Sequence, residues 1–336
     1  TVLGFGNNLD GSLGDIITCR LPPVYIKGLT NIKAISAGED HSLALAEDGT
    51  VWAWGTNDSG QLGDGTTENH YTPVHVKGLT NIKAIVAGGR LGGSYSLALA
   101  NDGTVWAWGG DCSGTLGDGI DDRQQLTPVQ IKGLADIKAI AAGATFSIAL
   151  ANDGTVWGWG DFSGGQLGDI TLEDTLDKWP IPPVQIKGLA DIKAIAAGDS
   201  FSIALTNDGT VWAWGYNGDG QLGDGTTEER DTPIRVKDLT NIKAISAGEY
   251  HSLALAEDGT VWAWGDNFVK NQPPVHIEGP TNIKDIAAGT FHSLALANDG
   301  TVWAWGANSS DQLGIDEEIL DGQNTPAYIG IISPQN

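Results

Sequence analysis

The sequence predicts an all-β chain: a β-propeller of four-stranded antiparallel blades, six complete blades preceded by an N-terminal half blade, with six or seven blade positions in the ring. Three observations carry that reading. The stretch Val-Trp-Ala-Trp-Gly, or a close variant, begins at Val51, Val105, Val156, Val211, Val261 and Val302, and a weaker copy from Val2 to Gly6 opens the chain. Self-similarity at this period marks a repeat architecture. Each period of roughly 50 residues also holds four short strand-like runs, the make-up of one propeller blade. All but one of the 13 Trp lie in the motif, so tryptophan here is architectural.

The copy from Asn31 to Gly78 shows the elements in order. Strand a, Ile32–Gly38, ends in small residues and suits the crowded inner part of a blade. A turn at Glu39-Asp40-His41 leads to strand b, Ser42–Ala46. Asp48-Gly49 is a hairpin signal, because glycine accepts the positive φ such turns need. Strand c is Val51–Trp54, with both Trp on one face, since side chains alternate along a strand. A loop centred on Gln61-Leu62-Gly63 follows, then strand d at Pro73–Lys77, with Pro at its start as on an edge. The full blades run 31–78, 81–133, 136–188, 191–238, 241–279 and 282–330. Residues 1–28 supply a lone c–d pair, Val2–Phe5 with Pro23–Lys27. The period continues without a linker, so one domain spans 1–336.

The formal net charge is −24. This excludes duplex nucleic acid and anionic membrane as partners, both of which need a basic surface. No apolar run is long enough to span a bilayer. The two Cys, Cys19 and Cys112, sit at different motif positions and form a candidate disulfide or remain thiols. The chain has no Met and starts at Thr1, which reads as a processed, extracellular protein.

The motifs A-G-x-x-H-S-L-A-L, D-G-T-V-W-A-W-G and G-Q-L-G-D-G resemble the repeats of the regulator of chromosome condensation family over essentially the whole chain. The resemblance implies a seven-bladed propeller that binds proteins through its loop faces. That family includes a nuclear exchange factor for a small GTPase, and secreted β-lactamase-inhibiting propellers look similar in their repeats. Exchange activity does not carry over, because its contact residues are not in the repeat motif.

No acid, base and nucleophile can be assembled, so no enzyme and no cofactor is expected. His41, His251 and His292 share a position with Tyr95, Phe146 and Phe201 of sister repeats, which indicates packing rather than catalysis. Asn57, Gln61 and Glu68 echo a calcium-loop spacing, but Leu62 stands where such a loop needs Gly, so no metal is expected. Asn57 and Asn308 open glycosylation sequons.

Departures from the repeat mark a recognition face. One a–b turn is lengthened around Arg90 and Leu91. One c–d loop changes at Asp121, Asp122 and Arg123. Another expands and carries Glu173, Asp174, Lys178 and Trp179. A third is short, with Phe268 and Lys270. The a–b and c–d connections emerge on one side of a blade, so these residues share an acidic loop face. Trp179 and Arg90 are its expected anchors, as exposed Trp and Arg often dominate interfaces. The unfinished half blade offers a second reading. Val2, Leu3, Phe5, Val24, Tyr25 and Ile26 lie on a sheet edge that invites another strand, giving head-to-tail self-assembly into a ring or filament. The partner is therefore another protein or copies of the chain itself.

Overall fold

The computed structural model describes residues 2–6, 8, 11–14, 24–90, 93–120, 124–170, 181–266, 272–309, 312–314 and 323–331. It is an all-β propeller fold with six four-stranded antiparallel sheets, each in the order a–b–c–d. The chain divides into two compact units. The first holds a two-stranded sheet, Leu3–Gly4 with Val24–Tyr25, and the first three full blades. The second holds the last three blades and the short segment Gly164–Gly168.

In the first full blade the strands are Ile32–Ala37, His41–Ala46, Val51–Gly55 and His70–His75. The b–c hairpin closes with Gly49 N–H on the Ala46 carbonyl and Ala46 N–H on that of Thr50, and Gly49 takes φ +86°. The Asp48 carboxylate accepts the Thr50 N–H at 2.9 Å. Strand d differs from the sequence expectation. It begins at His70 and ends at His75, and Pro73 lies inside it. The reason is a register shift between the Ala53–Val74 and Gly55–His70 pairs. Proline lacks the ladder N–H, and a bulge is where that lack does least harm.

Within each unit, strand a of one blade packs against strand a of the next, which explains the Ala and Gly there. Strand b of the second to fifth blades is buried on both faces, so it reads as nearly continuous apolar sequence. The core lies between successive blades. Leu43, Leu45, Val51, Ala53, Leu62 and Val76 of the first blade meet Ile82, Ile85, Ala98 and Trp108 of the second. Equivalent clusters join the second blade to the third, the fourth to the fifth and the fifth to the sixth. The second Trp of each strand c is fully buried, whereas the first is half-buried and rests beside strand d, as Trp52 does edge-on to His75 at 5.7 Å.

The half blade is seated by the same chemistry. Val2 and Ile26 turn inward against Trp54, so these two of the proposed edge residues are core. Leu3 and Phe5 are half-buried, Tyr25 is 58% exposed, and the Val24 side chain lies outside the described residues. Among the described residues, Leu3–Gly4 pairs with Val24–Tyr25 alone. Ile35 of the first blade is 62% exposed, while its counterpart Ile85 is buried.

Truncating Trp108 to Ala should cost about 3–5 kcal/mol, as for other large-to-small core changes. Gly63 lies over that ring at φ +66°, and a Cβ there would sit 2.7 Å from Trp108 Nε1. Gly63→Ala should therefore cost about 1–3 kcal/mol through strain and overpacking. Urea unfolding of both variants, read by near-UV dichroism, checks the pair of values.

Candidate binding face

The a–b turns and c–d loops of each unit lie at one end of its blades, and the b–c hairpins and d–a turns at the other. Charge divides the same way. At the hairpin end every strand a begins with a lysine after its first residue, from Lys33 to Lys284, and most d strands are followed by another, such as Lys77 and Lys237. These offset the hairpin carboxylates. Backbone hydrogen bonding to Thr104, helped by Lys83, holds Asp102 below the usual carboxylate range. Among the described residues the loop ends of the blades carry Arg90 and Arg230 against many more carboxylates, Glu39, Asp58, Glu68, Asp118, Asp219, Glu228 and Asp231 among them. The described loop ends are therefore net negative. Arg230 is itself bound to Asp224 at 2.6 Å.

A recurring clip holds the loops in place. The Gln61 carbonyl accepts from Trp108 Nε1 at 2.8 Å and from Ser96 Oγ at 2.9 Å, both on the next blade. The Ser12 carbonyl does the same for Trp54 (2.7 Å) and Ser42 (2.8 Å). So does Gln221 for Trp264 (2.7 Å) and Ser252 (3.0 Å). Gln166, in the segment that belongs to the second unit, serves Trp214 (2.8 Å) and Ser202 (3.0 Å). Thr115 serves Trp159 at 2.9 Å, while Ser147 meets the Tyr95 hydroxyl instead. The serine repeated in every strand b is thus a hydrogen-bonding part of the blade.

Asn57 requires a correction. Its side chain is fully buried: Oδ1 accepts the Leu62 N–H at 2.9 Å, and Nδ2 donates to the Thr66 carbonyl at 3.0 Å. A glycan acceptor needs an exposed amide, so this sequon is closed by the loop's own bonding. Asn308 is half-buried and holds the Leu313 N–H in the same way at 3.0 Å. The calcium-like spacing is also spent internally, because Gln61 Oε1 accepts the Ser59 N–H. Asp64 meets Thr66 and His70.

His41 lies between Asp40 and Ser96 in an order that resembles a catalytic triad. Nε2 is 2.9 Å from Ser96 Oγ, and Nδ1 is 3.4 Å from Asp40 Oδ1. Two facts make it structural. His41 and Ser96 are fully buried, and the Ser96 hydroxyl donates to Gln61. His41 must then be the donor to Ser96. Burial pushes Asp40 up, but the His41 ring and the Ser94 hydroxyl outweigh it and hold the group below its ordinary value.

Of the expected recognition residues, Arg90 is described and exposed. Leu91, Asp121, Asp122, Arg123, Glu173, Asp174, Lys178, Trp179, Phe268 and Lys270 lie outside the described residues, as does Cys19. Cys112 is exposed. Sequence reading missed one feature of this end. The residue before strand b is Asp40, Ser94, Thr145 or Ser200 in four blades but Tyr250 and Phe291 in the fifth and sixth. The two rings stand 6.2 Å apart, and Phe291 is 38% exposed. Aligning the repeats position by position reveals it.

Comparison with known proteins agrees with this architecture. A family described as the RCC1-like domain matches residues 1–330. The human probable E3 ubiquitin-protein ligase HERC6 is 34% identical over 239 residues, 68% of this chain and 23% of that protein. The ultraviolet-B receptor UVR8 of Arabidopsis thaliana is 31% identical over 234 residues, 68% of this chain and 52% of the receptor. The solved structure of Prp20p from Saccharomyces cerevisiae, described with its binding to Gsp1p and histones, matches with a TM-score of 0.83 and 26% identity over 98% of this chain and 86% of that one. The chain spans about half the length, or less, of the curated relatives it matches.

His251 makes the second unit acid-sensitive. Burial, with the neighbouring His292, lowers its pKa from 6.5 to about 4. The unfolded chain takes up this proton near pH 6.5 and the folded chain only near 4, so stability falls as pH drops through that window. The loss is about 3 kcal/mol at one proton and roughly 2.5 pKa units. Burial lowers His292 too, which adds in the same direction. His251→Phe, the residue type of the fourth blade, should flatten most of this loss in urea titrations at pH 7 and pH 4.

Proposed function

The chain belongs to the RCC1-like domain family, and from that premise we propose that it is a non-catalytic binding propeller whose acidic loop end docks a partner protein outside the cell. The observation that carries this is the charge division: one end of the blades is close to neutral and the other bears the deficit. A surface so polarised steers a basic partner and weakens as salt screens it. The yeast relative's binding to Gsp1p and histones supports a protein partner in general. The extracellular placement draws on the absence of methionine, which leaves no thioether to oxidise. A photo-crosslinker at Arg90, compared with one at Asp153 on the hairpin end, tests the face in material from the source. Capture at Arg90 alone, abolished by Trp179→Ala and reduced at high salt, is expected. Equal capture at both positions sinks the reading.

One observation favours a second reading. The half blade, a two-stranded sheet with Tyr25 58% exposed, is a template for another chain. If the chain self-assembles there, light scattering across a concentration series will show particles heavier than 35.1 kDa. Tyr25→Lys, an exposed change that spares Val2 and Ile26, would return them to the monomer mass, while Trp179→Ala would leave them intact.

A further inference from the structure

The first Trp of strand c stays half-buried in all six full blades, at the hairpin end. In the second unit two of these rings line recesses built from the same parts: the b–c hairpin, the d–a turn and the indole. The recess of the fourth blade, at Trp212, measures about 490 Å³. That of the sixth, at Trp303, measures about 370 Å³. Both volumes suit a small molecule. A backbone bond ties hairpin to turn in each. Asn207 N–H meets the Asp191 carbonyl at 2.9 Å, and Asn298 N–H meets that of Asn282 at 3.0 Å. The walls are therefore preformed.

Four features give the fourth-blade recess its chemistry. First, its strand b ends in Thr206, where the other five end in Ala. The buried Thr206 hydroxyl donates to Asp208 Oδ1, and this bond does most to hold that carboxyl below the usual carboxylate range. Second, the cross-strand partner of Trp212 is the exposed Arg235, whereas Trp52, Trp262 and Trp303 stand against the rings of His75, His276 and Tyr328. Third, the Thr104 and Thr155 hydroxyls accept the outer indole N–H of the second and third blades, at 3.3 and 3.2 Å. No described residue accepts that of Trp212. Fourth, the Asn298 amide in the sixth blade is spent on the Asn282 carbonyl. The exposed Asn207 keeps its amide for an outside acceptor.

An indole with an available N–H, an anchored carboxylate, an amide and a guanidinium thus surround one recess. The ring offers apolar surface, and the rim offers both donors and acceptors. A hexopyranose has the matching anatomy: a face of C–H groups for the indole, and an edge of hydroxyls that each donate and accept. Asp191 and Asp208 outnumber Arg235 here, so a sugar that carries a carboxylate is repelled. We propose that the hairpin-end recess of the fourth blade binds a neutral hexopyranose, free or at the end of a glycan, with its C–H face on Trp212. This site lies at the opposite end of the blade from the protein-docking face and stands or falls independently of it.

The test is a titration of ¹⁵N-labelled full chain with the methyl glycosides of glucose, mannose and galactose, following the indole N–H resonances. Trp212 is assigned through Trp212→Phe. At least one glycoside should shift the Trp212 resonance saturably, with the buried indoles and Trp303 unmoved. Arg235→Ala, an exposed change that spares the core, should weaken that binding about tenfold, as loss of one charge-assisted hydrogen bond does. Asn207→Ala, equally exposed, should weaken it about threefold. No Trp212 shift with any of the three glycosides overturns the proposal. So does an equal shift with open-chain sorbitol, tighter binding of glucuronic acid, or binding that both variants leave unchanged.

Discussion

Everything in this fold depends on one polar contact inside an apolar seam: a buried indole N–H reaching a backbone carbonyl of the neighbouring blade's loop. Packing alone would let two sheets slide, because apolar contact has no direction. The Trp108 bond to the Gln61 carbonyl supplies direction. It also spares a large aromatic the cost of burying an unmet donor. The serine on strand b doubles the restraint, and Gly63 over the ring prevents any other residue type from holding the turn. Loop, strand b and strand c are thereby locked into one register from three separate stretches of chain.

The consequence for function is a division of labour. Loop residues that face the next blade are committed to structure, as Asn57 and Asp64 show. The outer rim of the same loops is left without a part in the seam. The opposite end sets lysines near hairpin carboxylates, as Lys83 near Asp102 and Lys243 near Asp258.

The period of the Trp motif made the fold legible, since four strands per repeat follow from turn signals and alternation. The d strands were less legible. Pro73 looked like a start, yet a bulge lets it sit within the strand. The site was harder still. His41 and Ser96 are 55 residues apart, and nothing local announces their contact. Asn57 matched a modification tripeptide because its hydrogen bond to Leu62 depends on a loop shape that three letters do not encode. Tyr250 and Phe291 were visible in principle, but only as outliers within aligned copies.

The clip's acceptor is a main-chain oxygen, and this bears on how such a chain originates. Ser12, Gln61 and Thr115 each accept the indole N–H, since the side chain at that position takes no part in the bond. A gene segment encoding one blade can therefore be duplicated, lost or joined out of step by unequal recombination, and the new neighbours will still fit. Copies can drift in their outer residues while the seam stays interchangeable.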